Sequence, residues 1–322
     1  MGRVEPVRRS QCPLPRGKLI PLWCRLEIRR PPAMVSAHPK HLVVTGASSG
    51  IGRACALRAA RAGWRVFGTV RRDEDARALE REGGDAVRAL RMDVTDADSI
   101  EAAAAAVQAE CGGRGLDGLV NNAGIVIAGP LEYLPVEDFR HQIEVNLVGP
   151  LRTSQALLPQ LRAARGRIVM ITSISGKVSY PMEGPYCASK HALESIAQCL
   201  RMELAPSGVG VSVVAPGPVR TPIWERSRAR AAAVARKLPP QAWQHYGSHY
   251  ESLEAIAEDL ARKGIPADRV ARSVEHALTS GRPRTRYIVG FDATIQRILS
   301  AVAPDRLRDR LVAMQLKLPS KL

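Results

Sequence analysis

The chain has 322 residues, 45% of them hydrophobic and 24% charged, with 47 Lys and Arg against 31 Asp and Glu for a net charge of +16. Apolar content of that order serves one large α/β domain or two small ones. No fixed-period repeat is present, and no apolar run approaches the roughly 18 residues of a bilayer-spanning helix, so a soluble, non-repetitive protein is expected.

The positive charge is mostly arginine interleaved with acids, and aromatics make up only 4% of residues, so stacking platforms are few. Scattered solvated charge outweighs a nucleic-acid binder, which ranks third among the functional readings. Six cysteines (Cys12, Cys24, Cys55, Cys111, Cys187, Cys199) stand without a C-x-x-C pair, against a zinc site or a disulfide framework. They read as small buried or half-buried side chains in a reducing, cytoplasmic compartment.

Residues 1–33 carry eight Arg and Lys, two acids and six of the 23 prolines. Neither helical nor strand periodicity survives that many prolines, so a disordered basic leader is expected, with Met34 a candidate start ahead of the first strand. A basic targeting or membrane-surface arm is the alternative.

The folded domain is expected over 34–322. L-V-V-T, from Leu42, is a short β-branched run suited to a strand buried on both faces. It enters T-G-A-S-S-G-I-G and then a helical stretch ending at Gly63. A strand, glycine turn and helix form a dinucleotide cradle: Gly46, Gly50 and Gly52 let the backbone approach a pyrophosphate lying on the helix amino terminus. The second strand ends at Val70, where an NAD-specific site carries an acid for the ribose hydroxyls. Arginines follow instead, so NADP(H) is expected, with Arg71 clamping the 2′-phosphate and Arg72 or Arg53 assisting. NAD(H) stays open, because both arginines could simply begin a charged helix.

R-A-L-R-M-D-V is a third strand ending at Asp93 and Val94, followed by a helix over 98–110. Residues 116–124, L-D-G-L-V-N-N-A-G, run from a strand into a polar turn. Helical periodicity spans Val136–Leu161 around Asn146, and the strand G-R-I-V-M-I-T-S delivers Ser173, with Ser175 as the competing serine. Tyr186 and Lys190 stand four apart at the start of a helix with its apolar side at Ala188, Ala192, Ile196, Cys199 and Leu200, so they share a face. An ammonium beside a phenol favours the phenolate, which lets Tyr186 exchange a proton with a substrate oxygen near neutral pH. Cys187 reads as packing, since no histidine is placed to activate it.

V-G-V-S-V-V-A-P-G is a sixth buried strand. Residues of about 218–265, with Trp224, Trp243, His245, Tyr246, His249 and Tyr250, read as a helical lid over an apolar substrate. His245 and His249 lack an obvious third metal ligand, so no metal is expected. A helix over 267–279 and the strand R-Y-I-V-G close the sheet. The amphipathic extension of about 292–322 could pack on the lid, pair with another subunit in a homodimer or homotetramer, or rest on a membrane surface, and packing is favoured.

These motifs resemble the short-chain dehydrogenase/reductases over roughly residues 40–290. Asn146, Ser173, Tyr186 and Lys190 stand at the spacing of that family's Asn-Ser-Tyr-Lys tetrad. The resemblance implies a single doubly wound Rossmann-type α/β domain with a seven-stranded, mostly parallel sheet. It implies that Ser173 binds the substrate oxygen and Tyr186 transfers the proton. Lys190 tunes Tyr186 and holds the ribose, and Asn146 opens its helix to hold a relay water. It also implies cofactor contacts at Thr45, Gly46, Ser48, Ser49, Gly50, Ile51 and Gly52, at Asp93 and Val94 around the adenine, and at Asn121, Ala123 and Gly124 of N-N-A-G. Pro216, Gly217, Val219 and Thr221 of P-G-x-V-x-T complete the set at the nicotinamide end. The G-W-R-V-F-G-T-V-R-R and P-Y-C-A-S-K contexts and the long extension look like the retinol and 17β-hydroxysteroid dehydrogenase branch. An oxidoreductase acting on a small lipophilic alcohol or carbonyl compound is therefore expected. The alternative is a non-catalytic NADP(H)-binding regulator on the same scaffold.

Overall fold

The protein is described from a computed structural model over residues 38–316, all within the unit Ser36–Leu322. The leader expected over 1–33, with Met34, lies outside the described residues, as do positions 317–322 of the carboxyl-terminal extension.

The apolar runs form β1 (His41–Val44), β2 (Arg65–Val70), β3 (Val87–Arg91), β4 (Gly118–Asn121), β5 (Arg167–Ile171) and β6 (Gly210–Pro216). Two residues, Val219–Arg220 (β7), pair with Ile265–Pro266 (β8) in a separate ribbon, and β9 (Arg286–Val289) returns to the main sheet. That sheet has seven strands in the order β3-β2-β1-β4-β5-β6-β9. Every pairing in it is parallel, in line with the mostly parallel sheet expected.

Every residue of β1 and β4 is buried, as strands covered on both faces require. Alternation along the strands divides the core. Leu42, Val44, Val66 and Val120 face Cys55, Val270 and Val274 of helices α1 (Gly50–Arg61) and α9 (Ala267–Thr279). Val43, Phe67, Leu119 and Ile168 face Val107 of α3 (Ala97–Cys111), Leu161 of α5 (Gly149–Ala164) and Leu193 of α6 (Gly184–Leu204). Each such Leu or Phe contributes about 1.5–3 kcal/mol on burial. Strand order reverses between β1 and β4, and there the carboxyl ends open a crevice.

Three local expectations change. The segment begun at Val136 is α4 (Val136–Ile143), a π-helical turn over Glu144–Val148 that holds Asn146, and then α5. In α6, Ala188 and Cys199 are exposed, and the buried side runs through Ser189, Lys190, Leu193, Glu194, Ala197 and Leu200. Periodicity of apolar residues missed that face because three of its members are polar and partnered. The carboxyl-terminal extension splits into α10 (Phe291–Val302) and α11 (Asp305–Gln315). Ala303, forced toward extended backbone by Pro304, takes φ −82°, ψ 135°. α10 packs on β9 and the 174–176 turn rather than chiefly on the lid, and Phe291, Ile298 and Val302 stay more than half exposed.

The lid segment is α7 (Ile223–Ala235) and α8 (Pro240–Lys263), packed on each other, with α8 also against β7. Between β2 and β3 lies α2 (Asp73–Gly83).

Candidate active site

A cleft of about 740 Å³ lies along the carboxyl ends of β1, β2, β4, β5 and β6. Its floor begins at the glycine turn. Gly46 and Gly50 take φ +64° and +57°, and a Cβ on Gly46 would stand 2.9 Å from Ala123 Cα. The turn feeds α1, whose first residues Gly50 and Ile51 line the cleft. Ser49 makes no side-chain cap and no acid stands in the first turn. The free N–H groups and positive end of that helix therefore face the cleft, a cradle that fits a dinucleotide pyrophosphate.

At one end the walls are Val70, Arg71, Asp93 and Val94, with Arg226 of α7 and His141 of α4. Burial works to raise the Asp93 carboxyl, but Thr95 N–H at 2.9 Å, Thr95 hydroxyl at 2.8 Å, and the charges of Arg71 and His141 hold it below its ordinary value. Arg230 of α7 feels Arg71 and Arg226: burial first, then those two cations, lower its pKa. Among the described residues no ion pair joins an acid to Arg71, Arg226 or Arg230. Arg71 and Arg226 thus line this end without an ion pair, and Arg230 sits close to them in an adjoining hollow with Asp138.

At the other end stand Ser173, Tyr186 and Lys190. Ser173 leaves β5 in extended backbone, and its Oγ accepts the Ser175 N–H at 3.1 Å. Lys190 Nζ donates to Ile171 O at 3.0 Å and lies 5.7 Å from the centre of the Tyr186 ring. Burial lowers the Lys190 ammonium from 10.5 to about 8. Burial also raises the Tyr186 phenol above its ordinary 10, against the lowering effect of a Ser173 hydrogen bond. The expected depression of Tyr186 by Lys190 is therefore not what this environment gives. Desolvation of the phenol is the larger effect, and Lys190 is itself desolvated.

Asn146 lies beneath the wall, fully buried. Its Oδ1 accepts Ile125 N–H at 2.9 Å, and its Nδ2 donates to Ile125 O at 3.0 Å and Ser189 Oγ at 3.1 Å. Ser189 Oγ in turn donates to Tyr186 O at 2.7 Å, so the π turn is tied to the Tyr186 backbone.

Of the remaining sequence candidates, Gly46, Ser48, Ser49, Gly50, Ile51, Arg71, Asp93, Val94, Ala123, Gly124, Pro216, Gly217, Val219 and Thr221 line the cleft. Four do not. Thr45 is buried, and its hydroxyl accepts the N–H groups of Asn122 and Ala123, both at 2.9 Å. Asn121 points into the core toward Ser154 Oγ at 2.9 Å. A Cβ on Gly52 would meet Gly46 O at 2.4 Å, so this glycine serves the approach of helix to loop. Arg72 opens α2 in exposed ion pairs with Glu74 and Asp75, and Arg53 is paired with Glu82.

Residues the sequence did not single out fill the gaps. Asn122 lines the cleft and its Nδ2 holds Thr45 O at 2.9 Å and Gly46 O at 3.1 Å. It follows the last residue of β4, and strand alternation was the signal that it, not Asn121, faces the cleft. Tyr180, Glu183, Gln296 and Gln315 close the substrate end, linked in part by Tyr180 hydroxyl to Gln296 Oε1 at 2.8 Å and Gln296 Nε2 to Gln315 Oε1 at 3.3 Å. Ile223 and Trp224 of α7 and Leu253 of α8 cover it from the lid side. Among the described residues no group of three or more His, Cys, Asp or Glu could hold a metal ion. Likewise, no helix is long and apolar enough to cross a membrane.

A parallel doubly wound sheet with an anion-accepting glycine turn and a serine, phenol and ammonium on one wall defines a nicotinamide-dependent oxidoreductase of the Rossmann type. The profile of the short chain dehydrogenase family matches residues 40–232, and the chain belongs to the short-chain dehydrogenase/reductases, in the retinol- and steroid-dehydrogenase-like branch, acting on CH–OH groups. It is 34% identical over 283 residues to the NADPH-dependent 3-dehydrocapnine reductase of Ornithobacterium rhinotracheale, covering 86% of this chain and 98% of that one. It is 35% identical over 306 residues to human retinol dehydrogenase 5, covering 93% and 96%. With human 17-beta-hydroxysteroid dehydrogenase type 6 the identity is 35% over 287 residues, covering 88% and 90%. Among solved structures, a short-chain dehydrogenase from Streptomyces avermitilis superposes with a TM-score of 0.69 at 31% identity, covering 87% of this chain and 97% of that one. An enzyme from Burkholderia phymatum in complex with NAD shares the fold, with a TM-score of 0.71 at 24% identity, covering 90% and 99%.

Proposed function

We propose that this enzyme is an NADP(H)-dependent oxidoreductase acting on a lipophilic secondary alcohol or ketone, or a primary alcohol or aldehyde, of steroid- or retinoid-like character. The observation that carries the reading is the meeting of Ser173, Tyr186 and Lys190 at one end of a cleft whose other end carries Arg71. When bound, the cofactor supplies or accepts the hydride. Ser173 Oγ holds the substrate oxygen. Tyr186 gives or takes the proton at that oxygen. Lys190, backed by Ile171 O, reaches toward the cofactor ribose and Tyr186, and Asn146 keeps the wall in place through Ile125 and Ser189. Burial of the phenol and the ammonium matches the water-poor setting in which proton transfer is directed to the substrate oxygen.

NADP(H) over NAD(H) is supported by Arg71 without an ion pair among the described residues, by Val70 where an acid would hold the ribose, and by Arg226 and Arg230 on the same side. The name of the Ornithobacterium relative points the same way. The substrate class is supported by the apolar surfaces of Ile174, Trp224 and Leu253 beside Tyr186 and by the retinol and steroid relatives. α7 and α8 act as the lid.

A panel of steroid, retinoid and aliphatic alcohols and ketones, assayed with each cofactor, tests the reading. In Tyr186→Phe, turnover falls by about 10²–10⁴ while cofactor binding persists. Near-normal turnover refutes the role of Tyr186, and equal or better use of NADH refutes the cofactor assignment.

A further inference from the structure

Glu194 lies on α6 one helical turn beyond Lys190, buried behind the cleft wall rather than lining the cleft. A carboxylate out of water needs its acceptor sites filled, and here the partners come from both ends of one short segment. Its Oε1 accepts the Thr172 hydroxyl at 2.8 Å. Its Oε2 pairs with Lys177 Nζ at 3.1 Å and with Arg286 of β9. Thr172 immediately precedes Ser173, and Lys177 immediately follows the tight turn Ile174–Gly176. One carboxylate on the Tyr186 helix thus grips both ends of the segment that carries Ser173. Among the described residues neither Lys177 nor Arg286 pairs with another acid.

Between those ends the segment is internally braced. Ser173 Oγ accepts the Ser175 N–H at 3.1 Å, Gly176 N–H donates to Ser173 O at 2.9 Å, and Lys177 N–H donates to Ile174 O at 2.8 Å. The segment also lies directly on the helix. A Cβ on Gly176 would stand 3.0 Å from Lys190 O and 3.2 Å from Glu194 Cγ. A braced turn held at both ends moves as a unit, so the place Glu194 gives those ends decides where the Ser173 hydroxyl stands relative to Tyr186.

Resting on the assignment of Ser173 and Tyr186 to the substrate oxygen, we propose that Glu194 is a positioning residue for the reaction, setting the separation of the Ser173 hydroxyl from the Tyr186 phenol. A substrate oxygen has to lie within hydrogen-bond reach of both groups at once, and a displacement of about 1 Å costs on the order of 10²-fold in rate. Glu194 touches neither substrate nor cofactor and exchanges no proton; it acts through Thr172 and Lys177 on Ser173. Lys190 holds the neighbouring Ile171 O by a separate bond at 3.0 Å, so the cofactor side of the wall is supported independently of Glu194. A carboxylate that only stabilised the fold would have no privileged link to Ser173, and that difference is measurable.

The test measures kcat and KM, for an alcohol that the unaltered enzyme oxidises with NADP, in Glu194→Gln, Ser173→Ala and the double variant, with NADPH affinity read by titration calorimetry. Glu194→Gln keeps the shape and drops the charge. It lowers kcat by roughly tenfold to a hundredfold and leaves NADPH affinity unchanged. In the Ser173→Ala background the same change costs less than about twofold more, because the group it places is gone. Near-normal kcat in Glu194→Gln, the full loss repeated in the Ser173→Ala background, or NADPH binding lost in step with turnover overturns the proposal. Should Glu194→Gln not fold, Lys177→Met releases one end of the segment from a partly exposed position, and the same pair of backgrounds decides: a loss confined to the Ser173 enzyme supports the proposal, and an equal loss or none in both overturns it. Ser173→Ala alone separates the two levels. Normal turnover in it refutes the assignment of Ser173 and this proposal with it, whereas a slow Ser173→Ala beside a normal Glu194→Gln refutes the positioning role only.

Discussion

Lys190→Met trades stability against function in a way the structure allows to be worked through. The ammonium is 5% exposed and burial brings it from 10.5 to about 8. At about 1.4 kcal/mol for each tenfold change, holding it charged in the fold costs about 3 kcal/mol. Met is an unbranched chain one atom shorter and removes the charge, at the loss of the donor to Ile171 O, which offsets about 1–2 kcal/mol. The variant is therefore more stable at pH 7 by about 1–2 kcal/mol, a rise in Tm of a few degrees for a domain of this size. The sign follows from the direction of the change. A lysine whose folded pKa is depressed pays its full penalty below about pH 8. It sheds that penalty as pH rises from about 8 toward 10.5, because the unfolded chain then holds the proton that the folded chain has released. Thermal unfolding without added cofactor, from pH 7 to pH 10, thus shows a gap between the two proteins that narrows with pH. Turnover of the variant is lost throughout. A Tm at pH 7 equal to or below that of the unaltered protein, or a gap that does not narrow, refutes the placement of Lys190 in a desolvated wall.

Arg71→Ala weakens NADPH binding by roughly tenfold to a hundredfold and leaves NADH much less affected. Adding Arg226→Ala deepens the loss, and titration calorimetry with each cofactor reads both; equal losses for the two cofactors would remove Arg71 from the 2′-phosphate. Glu194→Ala tests the support beneath α6. This side chain, 3% exposed, pairs with Lys177 at 3.1 Å and with Arg286, and accepts the Thr172 hydroxyl at 2.8 Å. Removing it strands both cations, each about a third exposed, and costs about 2–3 kcal/mol, below the full figure for a wholly buried pair. An unchanged urea midpoint would show that solvent already compensates them.

Strand positions, the glycine turn and the serine–tyrosine–lysine wall were legible in the sequence because each is a local pattern: a β-branched run, a backbone bend, a fixed spacing. What remained hidden depended on side-chain direction across elements. Arg71 and Arg72 are equivalent as letters, yet one lines the cleft and the other opens α2 in pairs with Glu74 and Asp75. Asn121 and Asn122 differ by one residue and so by one face of the sheet. The buried side of α6 was misjudged because Ser189, Lys190 and Glu194 are satisfied by partners distant in sequence. The strength of burial at Tyr186 is likewise set by what packs around it.

The hydrogen-bonded link from Tyr180 through Gln296 to Gln315 means that the far wall of the cleft is carried by the last stretch of the chain. That end of the cleft consequently draws on the final two helices as well as on the segment that carries Tyr186 and on the lid. The tail can change its side chains, and with them the molecules admitted, while hydride and proton transfer stay as they are. Chains that share this catalytic wall but differ over their final two helices are thus free to serve different alcohols.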